Sequence, residues 1–439
     1  MKICDIYILH VYTHVRCAKR PAAKAVVSTV VSIHYHVRSS QQRRDSRPCV
    51  VVRRAVSSRA RAMSSSDRDD EENGEPDGAP DLFAWLSREV RELAPARVPR
   101  VDGAPAPLDF LREYVASNRP CVIRGAFDHW PARRRWSLAY LSDTMGDDLI
   151  SVNVTPDGRG DALLATAGLD VRRAQDDHPD ARSPPSAPAR PLDPVPPEVF
   201  IQPEERRMTF REFARELERT REVPPGAPGS SVPYVSRQCG SLPDEFPRIA
   251  RDCDAHIAWA TEAFGHPPDA VNFWCGDERA TTTFHRDHYE NVYCVVTGVK
   301  TFALLPPCDA YRLRARPAPA ATRVGDAVVL ESPERSVRWS PIEPEDLKGD
   351  RSGAPPPLIV DVHPGECLYL PAMWHHHVTQ RRGDDGEPAV AVNFWYDMAF
   401  DDRFAIAKFA EEAHRRFARG GTESRARGIR GGDASNTVN

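Results

Sequence analysis

The sequence predicts a mainly β fold with flanking helices, an antiparallel jelly roll. From Val232 onward, short segments rich in Val, Phe, Tyr and Trp alternate with Gly and Pro. They are Val232–Arg237, Ala270–Cys275, Thr282–Asp287, Asn291–Thr297, Lys300–Leu305, Pro357–Val362, Cys367–Leu370, His376–Gln380 and Val390–Tyr396. Many short strands divided by turns close into a sandwich or barrel. Val271-Asn272-Phe273-Trp274 is echoed by Val392-Asn393-Phe394-Trp395; two copies make no solenoid, so they read as two similar strands.

Helical periodicity flanks this block. Leu82, Trp85, Leu86, Val90 and Leu93 recur at helical spacing behind Asp81, a capping residue type. Further helices are expected at Leu108–Val115, Trp136–Leu141 and Met208–Leu217, with strands at Cys121–Arg124 and Leu149–Val154. Ala162–Pro197, rich in Pro, Ala, Arg and Asp, reads as a structureless surface insertion. An amphipathic helix over Asp402–Phe417 carries Ile406, Phe409, Ala410, Ala413 and Phe417 on one stripe and should stop at Gly420-Gly421. The expected organisation is a leader over 1–80, an N-terminal α+β part over 81–231, the β block over 232–400, a helix over 401–419 and a disordered tail over 420–439.

Residues 1–62 are basic, Ser-rich and nearly free of acids, which fits an organelle transit peptide or a leader ahead of a true start at Met63. Both readings stand; without a transit peptide the expected compartment is cytoplasmic or nuclear. A net charge of −4 gives no reason to expect nucleic-acid or membrane-surface binding, and no apolar run is long enough for a transmembrane helix. The ten cysteines form no CxxC pair, so they read as reduced thiols in the core rather than a zinc ribbon.

His285-Arg286-Asp287 sets an imidazole and a carboxylate two residues apart, on one face of a strand. A distant histidine from His375-His376-His377 would complete a facial triad, the ligand set that leaves positions open on non-haem Fe(II). Alone, an HxD triplet is weak evidence. Lys300, fifteen residues on in an apolar stretch, strengthens it, because a buried lysine requires an anion. A bound dicarboxylate would supply one; a strand-edge lysine facing solvent is the plainer reading.

Thr282–Pro307, Leu370–Val378 and Val392–Asp397, with Asn118–Arg124, Val154–Gly158 and Tyr234–Cys239, resemble the jumonji-C protein hydroxylases, and among them the small lysyl hydroxylases built on that domain alone. The resemblance spans most of Asp81–Phe417 and implies a cupin-like double-stranded β-helix. It implies Fe(II) on His285, Asp287 and His376, and 2-oxoglutarate and O2 as co-substrates. Lys300 and Thr282 would hold the distal carboxylate, with Tyr234, Asn291 and Asn393 lining the pocket; Tyr234 reads equally well as a core aromatic. The middle histidine is chosen because relatives have an aromatic and then His-His. The implied reaction is hydroxylation at C-3 of a lysine in a protein, specifically a developmentally regulated GTP-binding protein. Asp157, Asp161, Tyr289, Glu290 and Trp274 are candidates to meet that lysine. A homodimer through the C-terminal helix is also implied. Alternatives are a demethylase or endopeptidase acting on protein tails, a Zn or Mn cupin without use for Lys300, and a non-catalytic interaction module.

Overall fold

The computed structural model describes residues 81–173, 190–191, 194–227, 230–349 and 353–430. Two sheets face each other, antiparallel throughout except where Arg100–Asp102 runs parallel to Cys121–Arg124 at the edge of the larger. The larger orders its strands Arg100–Asp102, Cys121–Arg124, Glu366–Leu370, Tyr289–Thr297, Ala389–Asp397 and Ala270–Gly276. The smaller orders Thr282–His285, His375–Arg381, Val299–Leu305 and Leu358–Val362. Strand alternation explains the two apolar layers. Tyr293, Val295, Leu368 and Ala391 point from the first sheet onto Phe302, Leu304, Val360 and Val362 of the second. Their neighbours Val292, Cys294, Cys367 and Phe394 point outward, where helices cover them with Phe110, Trp259 and Phe213. Each such large side chain, fully buried, contributes about 1.5–3 kcal/mol.

The jelly roll is therefore present, and the N-terminal part is woven into it. Cys121–Arg124 pairs with Glu366–Leu370 inside the main sheet, so the division at residue 231 does not cut the fold. The N-terminal helix, Leu82–Glu92, is capped by Asp81, whose carboxylate accepts from the amides of Phe83 and Ala84. Thr209 and Glu212 form a capping box on Phe210–Arg219, which starts two residues later than expected because Met208 belongs to the strand Glu204–Thr209.

Three expectations are corrected. Ala162–Pro197 is not structureless throughout: Ala162–Ala165 and Asp170–Arg173 are strands, joining Glu198–Gln202, Arg316–Val324 and Ala327–Leu330 in a further sheet. Each is only four residues long; Asp170–Arg173 pairs with Ala327–Leu330 more than a hundred residues on, and Ala162–Ala165 pairs with Glu198–Gln202 on the far side of the Pro-rich stretch, so no local pattern exposes them; 174–189 falls outside the described residues. The C-terminal helix spans Asp402–Arg430 and runs through Gly420-Gly421; the rest of the expected tail is outside the described residues. Cys121, Cys253, Cys275, Cys294, Cys308 and Cys367 are free thiols as expected, but Cys239 is disulfide-bonded. No described helix is long and apolar enough to cross a membrane. The leader, 1–80, lies outside the described residues.

Candidate metal centre and co-substrate pocket

His285, Asp287 and His376 come together at one end of the smaller sheet, one ligand atom of each lying within 4.8 Å of the other two. His285 and His376 are direct partners across the antiparallel ladder. Asp287 Oδ2 lies 3.9 Å from His285 Nε2 and 3.7 Å from His376 Nε2. Alternation along a strand is not what places Asp287: the strand ends at His285, and Asp287 sits in the turn beyond it. Its carbonyl accepts the amide of Met373, which adopts φ 70° at the start of the return strand. The two histidines are oriented alike. His285 Nδ1 is 2.9 Å from the Thr283 carbonyl, and His376 Nδ1 is 3.1 Å from the Trp374 carbonyl. With Nδ1 donating, Nε2 presents its lone pair to the centre, as a metal ligand does. Burial, then the neighbouring His285, pushes the His376 pKa well down and keeps it neutral. Burial raises the Asp287 pKa against the pull of His285. The donor set fits a divalent iron-type ion with open positions.

The three histidines are thereby separated by role. His377 faces the other way, with Nε2 2.9 Å from Glu343 and its ring against Phe284. His375 is buried with its Nδ1 lacking a hydrogen-bond partner.

Lys300 lies on the same inner face, fully buried. It opposes Gln380 on the ladder where Leu304 opposes His376. Four residues of strand set these two rungs about 13 Å apart, the span of two side chains and a short dicarboxylate between them. Lys300 Nζ donates to Tyr234 Oη at 3.0 Å and to Gln380 Oε1, and it stands 5.0 Å from the centre of the Tyr234 ring. It forms no ion pair among the described residues, and burial lowers its pKa to about 7. A buried ammonium held only by neutral oxygens is the cradle an anion would complete. Tyr234 is thus a direct hydrogen-bond partner of Lys300 rather than an isolated core aromatic. Gly276 makes the closure possible: a Cβ there would come within 2.6 Å of the Tyr234 ring and 2.8 Å of Gln380 Nε2.

Asn291 and Asn393 form a buried chain with Asn272. Asn393 Nδ2 donates to Asn291 Oδ1 at 3.1 Å, and Asn393 Oδ1 accepts from Asn272 Nδ2 at 3.2 Å and Trp274 Nε1 at 2.8 Å. Thr282 is partly buried, and the ladder register shifts between Thr282 and His285. That irregularity breaks the alternation which would otherwise set residues three apart on opposite faces. Gln380, Gly276 and Asn272 were missed from the sequence. The Val-Asn-Phe-Trp echo did contain Asn272 and Asn393, which are ladder partners.

With this geometry in hand, the chain matches the cupin-like domain family over residues 107–402. It is 38% identical over 344 residues to lysine-specific demethylase JMJ32 of Arabidopsis thaliana, covering 74% of this chain and 89% of that protein. It is 40% identical over 327 residues to the human bifunctional peptidase and (3S)-lysyl hydroxylase JMJD7, covering 72% and 89%. The JmjC domain-containing protein E of Dictyostelium discoideum is 30% identical over 355 residues, covering 76% and 93%. The chain belongs to the cupin-like JmjC family and is an enzyme of the 2-oxoglutarate-dependent oxygenase class.

Proposed function

We propose that the protein hydroxylates a protein side chain using Fe(II), 2-oxoglutarate and O2, at C-3 of a lysine in a developmentally regulated GTP-binding protein. The observation that carries the chemistry is a three-donor cluster at one end of a strand pair and an unpaired buried lysine at the other. His285, Asp287 and His376 would hold the iron. Lys300, with Tyr234 and Thr282, would take the distal carboxylate of 2-oxoglutarate, and the Asn272–Asn393–Asn291 chain would fix the pocket wall. Bound there, the metal and co-substrate supply oxidation of a C–H bond coupled to decarboxylation of 2-oxoglutarate to succinate. The chain's own part is orientation: the Nδ1 hydrogen bonds aim both imidazoles, and Lys300 sets the co-substrate's direction.

The lysyl assignment is supported by what the candidate recognition residues already do. Asp157 is paired with Arg159 at 2.8 Å; Glu290 accepts from Tyr369 and the Ala372 amide; Tyr289 stacks on Trp395; and Trp274 donates to Asn393. The Asp161 carboxylate has no hydrogen bond or ion pair among the described residues. Its backbone carbonyl accepts from Thr283 Oγ1 at 2.6 Å, two residues before His285. Thr283 Oγ1 also accepts from the Trp339 indole, which stacks on the His285 ring. An unpaired carboxylate there suits a cationic lysine head. The exposed Ile406, Phe409 and Phe417 on the C-terminal helix support a second copy of the chain as partner.

The test is succinate formation by the full chain with Fe(II), with and without a lysine-containing peptide from such a GTPase. Peptide-stimulated turnover that vanishes in Asp287→Ala and His376→Ala is the expected result. Turnover stimulated only by methylated lysine, with loss of the methyl group, would favour the demethylase reading that one relative's name suggests. No binding of metal or 2-oxoglutarate would leave a non-catalytic barrel.

A further inference from the structure

The middle residue of the His285-Arg286-Asp287 triplet has so far no role. Its guanidinium is buried and points away from the metal centre, to the C-terminal helix. There it pairs in a two-pronged fashion with Glu411: Nη1 with Oε1, and Nη2 with Oε2 at 3.1 Å. Lys408 Nζ lies 3.5 Å from the same carboxylate. Around this pair, the His288 ring meets Phe400 and Phe404 at 6.1 and 5.8 Å, while Phe404 and Ala407 pack on Ala372, Met373 and Met398. The helix therefore grips both chain segments that deliver ligands: the turn after His285 and the turn before His375.

That grip falls where the sheet provides none. The ladder's last rung on this strand is His285–His376, so no strand pairing restrains Arg286 or Asp287. The backbone restraint on Asp287 is the Met373 amide on its carbonyl, 2.9 Å away. A guanidinium only 8% exposed is tolerated because it is paired. Without its carboxylate it would turn toward water and pull the backbone between the two ligands with it.

Resting on the metal-site reading, we propose that Glu411 is a positioning residue for the metal: by anchoring Arg286 it holds His285 and Asp287 at the separation the ion needs. Outer-shell partners of metal ligands change affinity by about 10–100-fold when removed. Glu411 acts one step further out, so a loss of about tenfold is expected.

The experiment titrates the metal-free full chain with Co(II), followed by its visible absorbance, with thermal unfolding of the metal-free proteins in parallel. Glu411→Ala is expected to bind Co(II) about tenfold more weakly than the unaltered chain. Glu412→Ala, whose carboxylate pairs with Arg415 and Arg416 on the helix surface, is expected to bind as the unaltered chain does. A folded Glu411→Ala protein with unaltered affinity overturns the proposal. Should that variant unfold, the isosteric Glu411→Gln carries the test: weaker binding supports the clamp, and unchanged binding overturns it. Failure of the unaltered chain itself to bind Co(II) would instead overturn the metal-site reading.

Discussion

Replacing Lys300 with methionine is expected to make the resting protein more stable while removing its response to 2-oxoglutarate. Burial takes the Lys300 pKa from 10.5 to about 7. At about 1.4 kcal/mol per pH unit, keeping this amine folded costs on the order of 4 kcal/mol at neutral pH. Methionine matches the stem and removes that cost, but it leaves Tyr234 Oη and Gln380 Oε1 without a donor, a loss of about 1 kcal/mol each. The net gain is about 2 kcal/mol, or roughly 4 °C in Tm. The sign with pH follows from the direction of the shift. The folded-state pKa lies below the unfolded one, so the penalty is full below pH 7 and fades toward pH 10.5. The variant's advantage should shrink over that interval. Adding 2-oxoglutarate at about a hundred times its Kd should stabilise the unaltered protein by roughly 2.7 kcal/mol and leave the variant unmoved. Thermal unfolding with and without the co-substrate, with Mn(II) present, reads both effects. A variant less stable than the parent at pH 7, or one still stabilised by 2-oxoglutarate, refutes the reasoning.

Other consequences are as direct. Gly276→Ala forces Tyr234 and Gln380 off Lys300 and should raise the KM for 2-oxoglutarate about tenfold, an effect of about 1.4 kcal/mol, with Co(II) affinity unchanged. Asp161→Asn should raise the KM for the lysine peptide by about 10–100-fold with kcat little altered, the mark of lost substrate binding. Because burial, opposed by Arg335, lifts the Asp161 pKa to about 7, the peptide KM should fall as pH rises through that value. In Asp161→Asn that dependence should disappear. His376→Ala should abolish Co(II) binding, whereas His377→Ala, which loses its contacts to Glu343 and Phe284, should retain it.

How much of this was legible in the sequence depends on whether a feature is local. The strands around His285 and His376 announce themselves by β-branched and aromatic runs, and Asp81 caps its helix by residue type alone, whereas Thr209, expected inside its helix, proves to be the cap. The jumonji-C resemblance put the three donors, Lys300 and Tyr234 in one pocket. What escaped was relational. Gln380 reads as an ordinary strand glutamine until the ladder sets it opposite Lys300. Gly276 looks like a strand end until Tyr234 is seen packed against it. Arg286 is a solvated charge in sequence and a buried one in space, because its partner lies 125 residues away. Ala162–Ala165 pairs with Glu198–Gln202 across the Pro-rich stretch, and Glu198–Gln202 in turn meets Arg316–Val324 more than a hundred residues on, pairings no short window of sequence contains. Asp287 itself is placed by the turn and the Met373 amide, not by strand alternation.

The most direct test of the account is mass spectrometry of the peptide product after reaction under 18O2. The protein, Fe(II), 2-oxoglutarate and a lysine peptide from a developmentally regulated GTPase would be combined. The expected result is one labelled oxygen on the lysine side chain at C-3, dependent on His285, Asp287, His376 and Lys300. An unmodified lysine alongside peptide-stimulated succinate, a cleaved peptide, or a lysine that only loses methyl groups would contradict it.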